Sequence, residues 1–146
     1  MPGPEEAASK TRKRSAGDPE TEGANTKDKP EFTFNFRHET PGGRVYEGTF
    51  TNHVLTNTQR AQVSVVGARM RQGMPFESLD PVANMWIERM AHMAISLPQD
   101  ERPEWAEDLG ALYDDDVVNA LYKEVSSHED TFFGRGKDKE EGAGGG

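Results

Sequence analysis

The sequence contains no cysteine, so the fold cannot depend on disulfides or on a thiolate metal site, and thiol nucleophile chemistry is excluded. No apolar run approaches the roughly 20 residues that a bilayer-spanning helix needs. The N-terminus also lacks the apolar stretch of a secretory signal. These absences predict a protein that is neither secreted nor membrane-bound.

Large apolar residues are scarce at both ends of the chain. Residues 1 to 30 contain no large aliphatic residue after Met1, and residues 135 to 146 are mostly Gly, Lys, Asp and Glu. Such segments bury too little apolar area to offset the entropy of ordering. The sequence therefore predicts a disordered tail at 1–30, a single domain at 31–134 and a flexible Gly-rich tail at 135–146.

The domain opens with a pattern that is typical of a β-hairpin. Phe32, Phe34 and Phe36 alternate with polar residues and so share one face of a strand. A Pro-Gly-Gly turn at residues 41 to 43 follows, and Tyr46 and Phe50 share a face of the returning segment. An isolated hairpin is marginally stable, so we expect its aromatic face to pack on helices.

Three helices are predicted after the hairpin. The first, at 58–73, follows a capping box that begins at Thr56, and the second, at 81–97, has Asp80 as N-cap and a proline at its first position. The third begins after the acids at 114–116 and runs to about Phe133, whereas residues 98–113 allow at most a turn of helix that inserts Trp105 and Leu112 into the core. The predicted fold class is α+β, mostly α: an N-terminal β-hairpin packed on about three helices, with disordered N- and C-terminal tails.

The net charge of −9 is concentrated in one region. Residues 98 to 133 hold eleven acids and only two bases, Arg102 and Lys123, whereas the rest of the chain is balanced. An acidic domain disfavours nucleic acid as a partner, although the run KTRKR at residues 10–14 could touch nucleic acid or an acidic protein surface. A solubilising surface is the simplest interpretation of the acids, and a basic protein partner is the alternative.

Motifs that carry chemistry are absent from the sequence. The three acids at 114–116 lack the ligand spacing of a calcium loop, and Glu124 with His128 lacks a third metal ligand. His38, His53 and His92 have no better claim, and neither a phosphate-binding loop nor a Ser-His-acid arrangement is indicated. We therefore predict no enzyme activity, no catalytic residues, no metal and no cofactor.

The first two helices present unusually broad apolar faces for so short a chain. The second is interpreted either as the central core helix or as a partner-binding helix, and methionines suit surfaces that accommodate varied partners. The candidate partner-binding residues are Val63, Val66, Met70, Val82, Trp86, Met90, Met93 and Leu97.

The order and spacing of these segments give the chain a family resemblance. The stretches VYEGTFT at 45–51, LYDDDVV at 112–118, LYKEV at 121–125, HE at 128–129 and FFG at 132–134, with the helix-helix unit between them, resemble small tail assembly proteins of long-tailed bacteriophages. The resemblance covers roughly residues 32 to 134 and is notably to the tail assembly chaperones.

The resemblance implies a function and a set of partners. Such chaperones coat the tape measure protein, keep it soluble in the host cytoplasm and deliver it to the tail tube protein. They also self-associate, and a cationic first helix facing the anionic region of a neighbouring copy would explain how; the candidate residues are Arg60, Arg69, Arg71, Asp114, Asp115 and Asp116. The alternative is a structural virion protein, such as a head-tail joining, tail or capsid-associated subunit.

Overall fold

The computed structural model describes residues 24–135 and has an α+β fold, which confirms the predicted fold class. A two-stranded antiparallel hairpin, β1 (Glu31–Glu39) and β2 (Val45–His53), precedes three helices. The helices are α1 (Asn57–Met70), α2 (Pro81–Ser96) and α3 (Asp115–Phe133). Residues 1–23 and 136–146, where most of the two predicted tails fall, lie outside the described residues.

The hairpin has the alternation that its sequence predicts. Phe34 pairs with Phe50 and Phe36 with Gly48, so that the three phenylalanines face the core. The Phe50 ring lies 5.8 Å from both neighbouring rings, stacked on Phe34 and edge-on to Phe36. Phe50 is only 1% exposed, so the hairpin contributes directly to the core.

Local sequence signals fix the ends of the helices. The capping box of Thr56 and Gln59 forms at the start of α1, and the Asp80 side chain accepts a hydrogen bond from the Ala83 amide at the start of α2. Helix α1 ends at Met70 rather than near Gly73, because Gln72 and Gly73 have φ angles of 55° and 81°. Helix α3 ends at Phe133, because Gly134 after it has the left-handed conformation with φ 80°.

A half-buried arginine, Arg102, stabilises the connection between α2 and α3. The connection contains three 3₁₀ turns, Gln99–Glu101, Glu104–Ala106 and Leu109–Ala111. The Arg102 guanidinium donates hydrogen bonds to the backbone carbonyls of Met93, Leu97, Ala106 and Glu107. It thereby satisfies the Leu97 carbonyl at the end of α2 and adds a second donor to the Met93 carbonyl, which also accepts from the Leu97 amide. Partial burial lowers the pKa of the guanidinium.

Two further contacts join this connection to the hairpin. A Cβ atom on Gly48 would lie 2.3 Å from Cγ of Pro103, so only glycine permits this approach. The indole N–H of Trp105 donates to the carbonyl of Glu47 at 2.9 Å. Trp105 and Leu112 both pack against the core, which confirms their predicted role.

The core lies between the hairpin, the second half of α2 and the inner face of α3. Its buried residues are Phe34, Phe36, Phe50, Met90, Met93, Leu97, Ala106, Leu109, Val117, Val118, Leu121 and Val125. Helix α1 contributes none of them, and its only buried residue is Gly67.

Order begins before Phe32, so the prediction that residues 1 to 30 form one disordered tail is wrong for residues 24–30. The Asn25 amide exchanges two hydrogen bonds with the backbone of Thr33, and Lys27 donates to the Ser127 hydroxyl on α3. These polar contacts hold a segment that has no large aliphatic residue. A prediction based on apolar burial alone does not detect such contacts.

Candidate functional site

The apolar face of α2 is divided along the length of the helix. Met90, Met93 and Leu97, predicted to bind a partner, are at most 8% exposed and belong to the core. The hairpin and α3 pack against them in this core, so these three residues stabilise the fold, and their predicted part in partner binding stays a prediction. Val82 remains 69% exposed, and Val63, Val66, Met70 and Trp86 are half-buried.

Uncovered apolar residues gather where α1, α2 and their connection meet. A cleft of about 600 Å³ is lined in part by Val63, Phe76, Met85 and Tyr122. A second cleft, of about 290 Å³, shares Phe76 and Met85 and adds Leu79. We call the two together the helical cleft, defined by Val63, Phe76, Leu79 and Met85.

Arg71 holds the floor of the helical cleft in place. Its Nε donates to Oδ1 of Asn84 at 2.9 Å, and its guanidinium lies 4.9 Å from the centre of the Phe76 ring. Nη2 of Arg71 lies 3.7 Å from a carboxylate oxygen of Glu88, and the side chain is 11% exposed. Arg71 thus makes its observed contacts within one chain, and its predicted part in self-association stays a prediction.

Most of the other predicted self-association charges also have partners inside the chain. Asp114 accepts two hydrogen bonds from Arg44 and one from the Tyr46 hydroxyl. These bonds join the start of α3 to the hairpin, and we call them the latch; the Asp114 side chain does not cap α3. These bonds lower the pKa of Asp114 to about 2. Asp116 bonds to His38 at 2.8 Å.

Three members of the predicted self-association set remain exposed. Arg60 lies over the ring of Phe133 and donates to the Leu55 carbonyl at 3.3 Å, yet stays exposed. Arg69 and Asp115 are exposed as well. The exposed members of the set thus lie on α1 and at the start of α3, and their part in self-association stays a prediction.

The four histidines, all in the described part of the chain, make hydrogen bonds that join different elements of the fold. His128 is fully buried, its Nε2 donates to the Lys29 carbonyl at 2.7 Å, and its Nδ1 accepts from the Asn52 amide at 2.9 Å. Both ring nitrogens are thus occupied, and Glu124 is not among their partners. Nowhere in residues 24–135 do three or more metal-ligating side chains come together.

One histidine and one tyrosine border the helical cleft. Nε2 of His92 lies 2.6 Å from a carboxylate oxygen of Glu129, and the His92 ring meets Tyr122 edge-on. Burial, assisted by the charge of Glu129, raises the pKa of the Tyr122 hydroxyl. His92 and Tyr122 thus form a polar border beside the apolar residues of the helical cleft.

Sequence reasoning missed two important residues of this site, Phe76 and Leu79. Both lie in the connection between α1 and α2, where periodicity gives no signal. The available signal was composition, because the Met-Pro-Phe stretch at 74–76 is unusually apolar for a short surface connection.

No family model, curated protein or solved structure matches the chain. No helix within residues 24–135 has the length and apolar character needed to cross a membrane. The basic run at residues 10–14 lies outside the described residues.

Proposed function

We propose that this protein is a non-enzymatic phage tail assembly chaperone that acts in the host cytoplasm. The helical cleft would receive apolar side chains from a helix of the tape measure protein and keep that protein soluble until tail tube subunits assemble around it. The proposal combines the resemblance of residues 32–134 to tail assembly chaperones with the position of the uncovered apolar residues.

One observation carries the proposal: Phe76 and Met85 line both parts of the helical cleft and are 52% and 44% exposed. Exposed apolar patches often mark protein interaction sites, and an apolar groove between helices is a common receptor for an amphipathic helix. Methionine adapts to different side chains, which suits a partner that presents many similar helical segments. Arg71, Glu88 and Arg89 also line the cleft and provide polar contacts around its apolar centre.

A structural virion protein is the second candidate, and the outer edge of β1 favours it. The backbone groups of Thr33, Asn35 and Arg37 point to the edge of β1 that lies away from β2. Asn25 pairs with the backbone of Thr33 at this edge. Within residues 24–135, neither Asn35 nor Arg37 has a backbone partner there. An open strand edge can accept a strand from a neighbouring subunit, as subunits of an assembled particle require.

Co-expression with the tape measure protein of the same phage tests the chaperone. Phe76→Glu and Met85→Glu should leave the fold intact and lower the amount of soluble, co-purifying tape measure protein, because a carboxylate in the cleft opposes apolar docking. Val45→Glu is the matched control, since Val45 is 46% exposed but lies on the hairpin. Equal yields from all three variants would refute the assignment of the helical cleft.

Quantitative mass spectrometry distinguishes the two candidates. The tryptic peptide of residues 45 to 60 can be followed in infected-cell lysate and in purified particles. A chaperone should be abundant in lysate and absent from particles, whereas a fixed copy number in particles would establish the structural virion protein.

A further inference from the structure

The helical cleft changes character along α2, which supplies a different side chain at each turn. Met85, Arg89 and His92 all line it. They lie four and then three positions apart and so form one stripe along the helix. At a rise of 1.5 Å per residue, Arg89 follows Met85 by about 6 Å along the axis. The cleft therefore has an apolar end, at Met85 and Phe76, and a polar end one helical turn away.

Small residues form the floor between these two ends. Gly67 of α1 and Ala91 of α2 are both buried, and both line the cleft. A Cβ atom on Gly67 would lie 3.2 Å from Nη1 of Arg71 and 3.9 Å from the Ile87 side chain. Because this position has no side chain, the two helices approach closely and leave space above them for a side chain from a partner.

The charges at the cleft leave Arg89 without an opposite charge. Arg71 lies 3.7 Å from the carboxylate of Glu88, the one acid among the described residues that line the cleft. His92 pairs with Glu129, which is 8% exposed and does not line the cleft. Arg89 makes no ion pair within residues 24–135. A partner that enters the cleft therefore meets Arg89 as a cation that is free to pair.

Contacts with α3 hold the Arg89 side chain in position. Its guanidinium lies 5.1 Å from the centre of the Tyr122 ring, and Nη1 donates to Oδ1 of Asn119 at 3.0 Å. Arginine has five N–H donors, so the bond to Asn119 leaves donors for a further acceptor. Because Arg89 is half-buried and already ordered, pairing with a partner costs little additional side-chain entropy.

We propose that the helical cleft selects amphipathic helical segments in which an acid lies one turn away from an apolar residue. The apolar side chain packs against Phe76 and Met85, and the carboxylate pairs with Arg89. Residues three or four apart share one face of a helix at roughly 5–6 Å, which matches the separation of Met85 and Arg89 along α2. This inference rests on the proposed function, because it names the chemistry of the helix that the cleft receives.

The expected selectivity opposes the net charge of the protein. At a net charge of −9, long-range electrostatic attraction favours a basic helix over an acidic one. Arg89 favours an acid at short range. A preference for an acidic helix would therefore identify a local contact and could not result from the overall charge.

Designed peptides test the inference on the purified full chain, without the tape measure protein. Peptides of roughly 18 residues, long enough to form a helix, share a leucine stripe and carry glutamate, glutamine or lysine one turn from a leucine. Fluorescence anisotropy of the labelled peptides measures Kd. The glutamate peptide should bind roughly threefold to tenfold more tightly than the glutamine peptide, and the lysine peptide should bind most weakly. A peptide with its glutamate moved to the opposite face is the matched control and should bind like the glutamine peptide.

Two variants assign the selectivity to Arg89. Arg89→Gln should remove the preference for the glutamate peptide, and Arg89→Glu should reverse it in favour of the lysine peptide. Lys29→Glu makes the same change of charge at an exposed cation that does not line the cleft, so it should leave the order of the peptides unchanged. Circular dichroism checks that each variant keeps its helix content.

The outcomes separate this inference from the proposed function. Equal Kd values for all peptides, with binding abolished by Phe76→Glu, would overturn the inference and keep the cleft as a receptor for helices. Tightest binding of the lysine peptide, or a glutamate preference that Arg89→Gln leaves unchanged, would also overturn it. A protein that binds none of the peptides would overturn the inference together with the part of the cleft in the proposed function.

Discussion

Helices α1 and α3 both carry stripes of valine and other apolar residues, but the fold treats them differently. Val117, Leu121 and Val125 of α3 are 0% exposed against the hairpin and α2. On α1, Val65 is 51% exposed and only Gly67 is buried. Valine therefore stabilises the fold in α3 but remains available for contacts in α1. The hairpin covers the inner face of α3, whereas nothing within residues 24–135 covers the side of α1 that carries Val65.

Helix α2 joins the two regions and belongs to both. Met90 and Met93 face the core, whereas Val82 and Met85 near the helix start are exposed. A mutation of Met90 or Met93 should therefore affect stability, and one of Val82 or Met85 should affect binding.

Phenylalanines in the two regions provide the strongest test of this comparison. Phe50→Ala should destabilise the protein by about 3–5 kcal/mol, because it removes a fully buried ring. Phe76→Ala should lower the free energy of unfolding by about 1 kcal/mol or less, since the ring is half-exposed and lies against the Arg71 guanidinium. Urea denaturation followed by circular dichroism measures both, and similar losses would mean that Phe76 belongs to the core.

Two arginines sharpen the comparison with a smaller expected effect. Arg102→Met keeps an apolar stem but removes a donor from four carbonyls. Those of Met93 and Glu107 keep a second donor and those of Leu97 and Ala106 lose the one from Arg102, so we expect a loss of about 2–4 kcal/mol. Arg69 is exposed on α1, so Arg69→Met should change the free energy of unfolding by less than about 0.5 kcal/mol. An Arg102→Met variant as stable as the wild type would show that the connection does not need this side chain.

The smallest effect concerns acid stability and the latch between α3 and the hairpin. Hydrogen bonds from Arg44 and Tyr46 lower the pKa of Asp114 from 3.8 to about 2. A lowered pKa contributes stability that is complete above 3.8 and is lost as the pH falls through 2. The stability difference between wild type and Asp114→Asn should therefore shrink between these pH values.

The neighbouring exposed acid supplies the control for this measurement. Asp115→Asn removes an acid from the same helix start without touching the latch. A parallel pH dependence in Asp114→Asn and Asp115→Asn would argue that the helix dipole, and not the latch, determines the acid response.

Local signals predicted the elements well and the contacts between them less well. Alternating phenylalanines, the capping box at Thr56 and the Asp80 N-cap were sufficient for the hairpin and the starts of α1 and α2. The contacts of Asp114 and Arg71 were not predicted, because no spacing rule links these residues to their partners Arg44 and Asn84. Phe76 was overlooked because periodicity carries no information in a connection.

Short-range chemistry in the sequence by itself determined the hairpin, the three helices and the absence of thiol chemistry. Helical and strand periods place apolar residues on faces, and capping residues mark where helices begin. Only the tertiary structure decided which apolar faces are covered, because burial depends on elements far apart in the chain. Met93 became core and Met85 became surface within one helix because the hairpin and α3 reach the first and not the second.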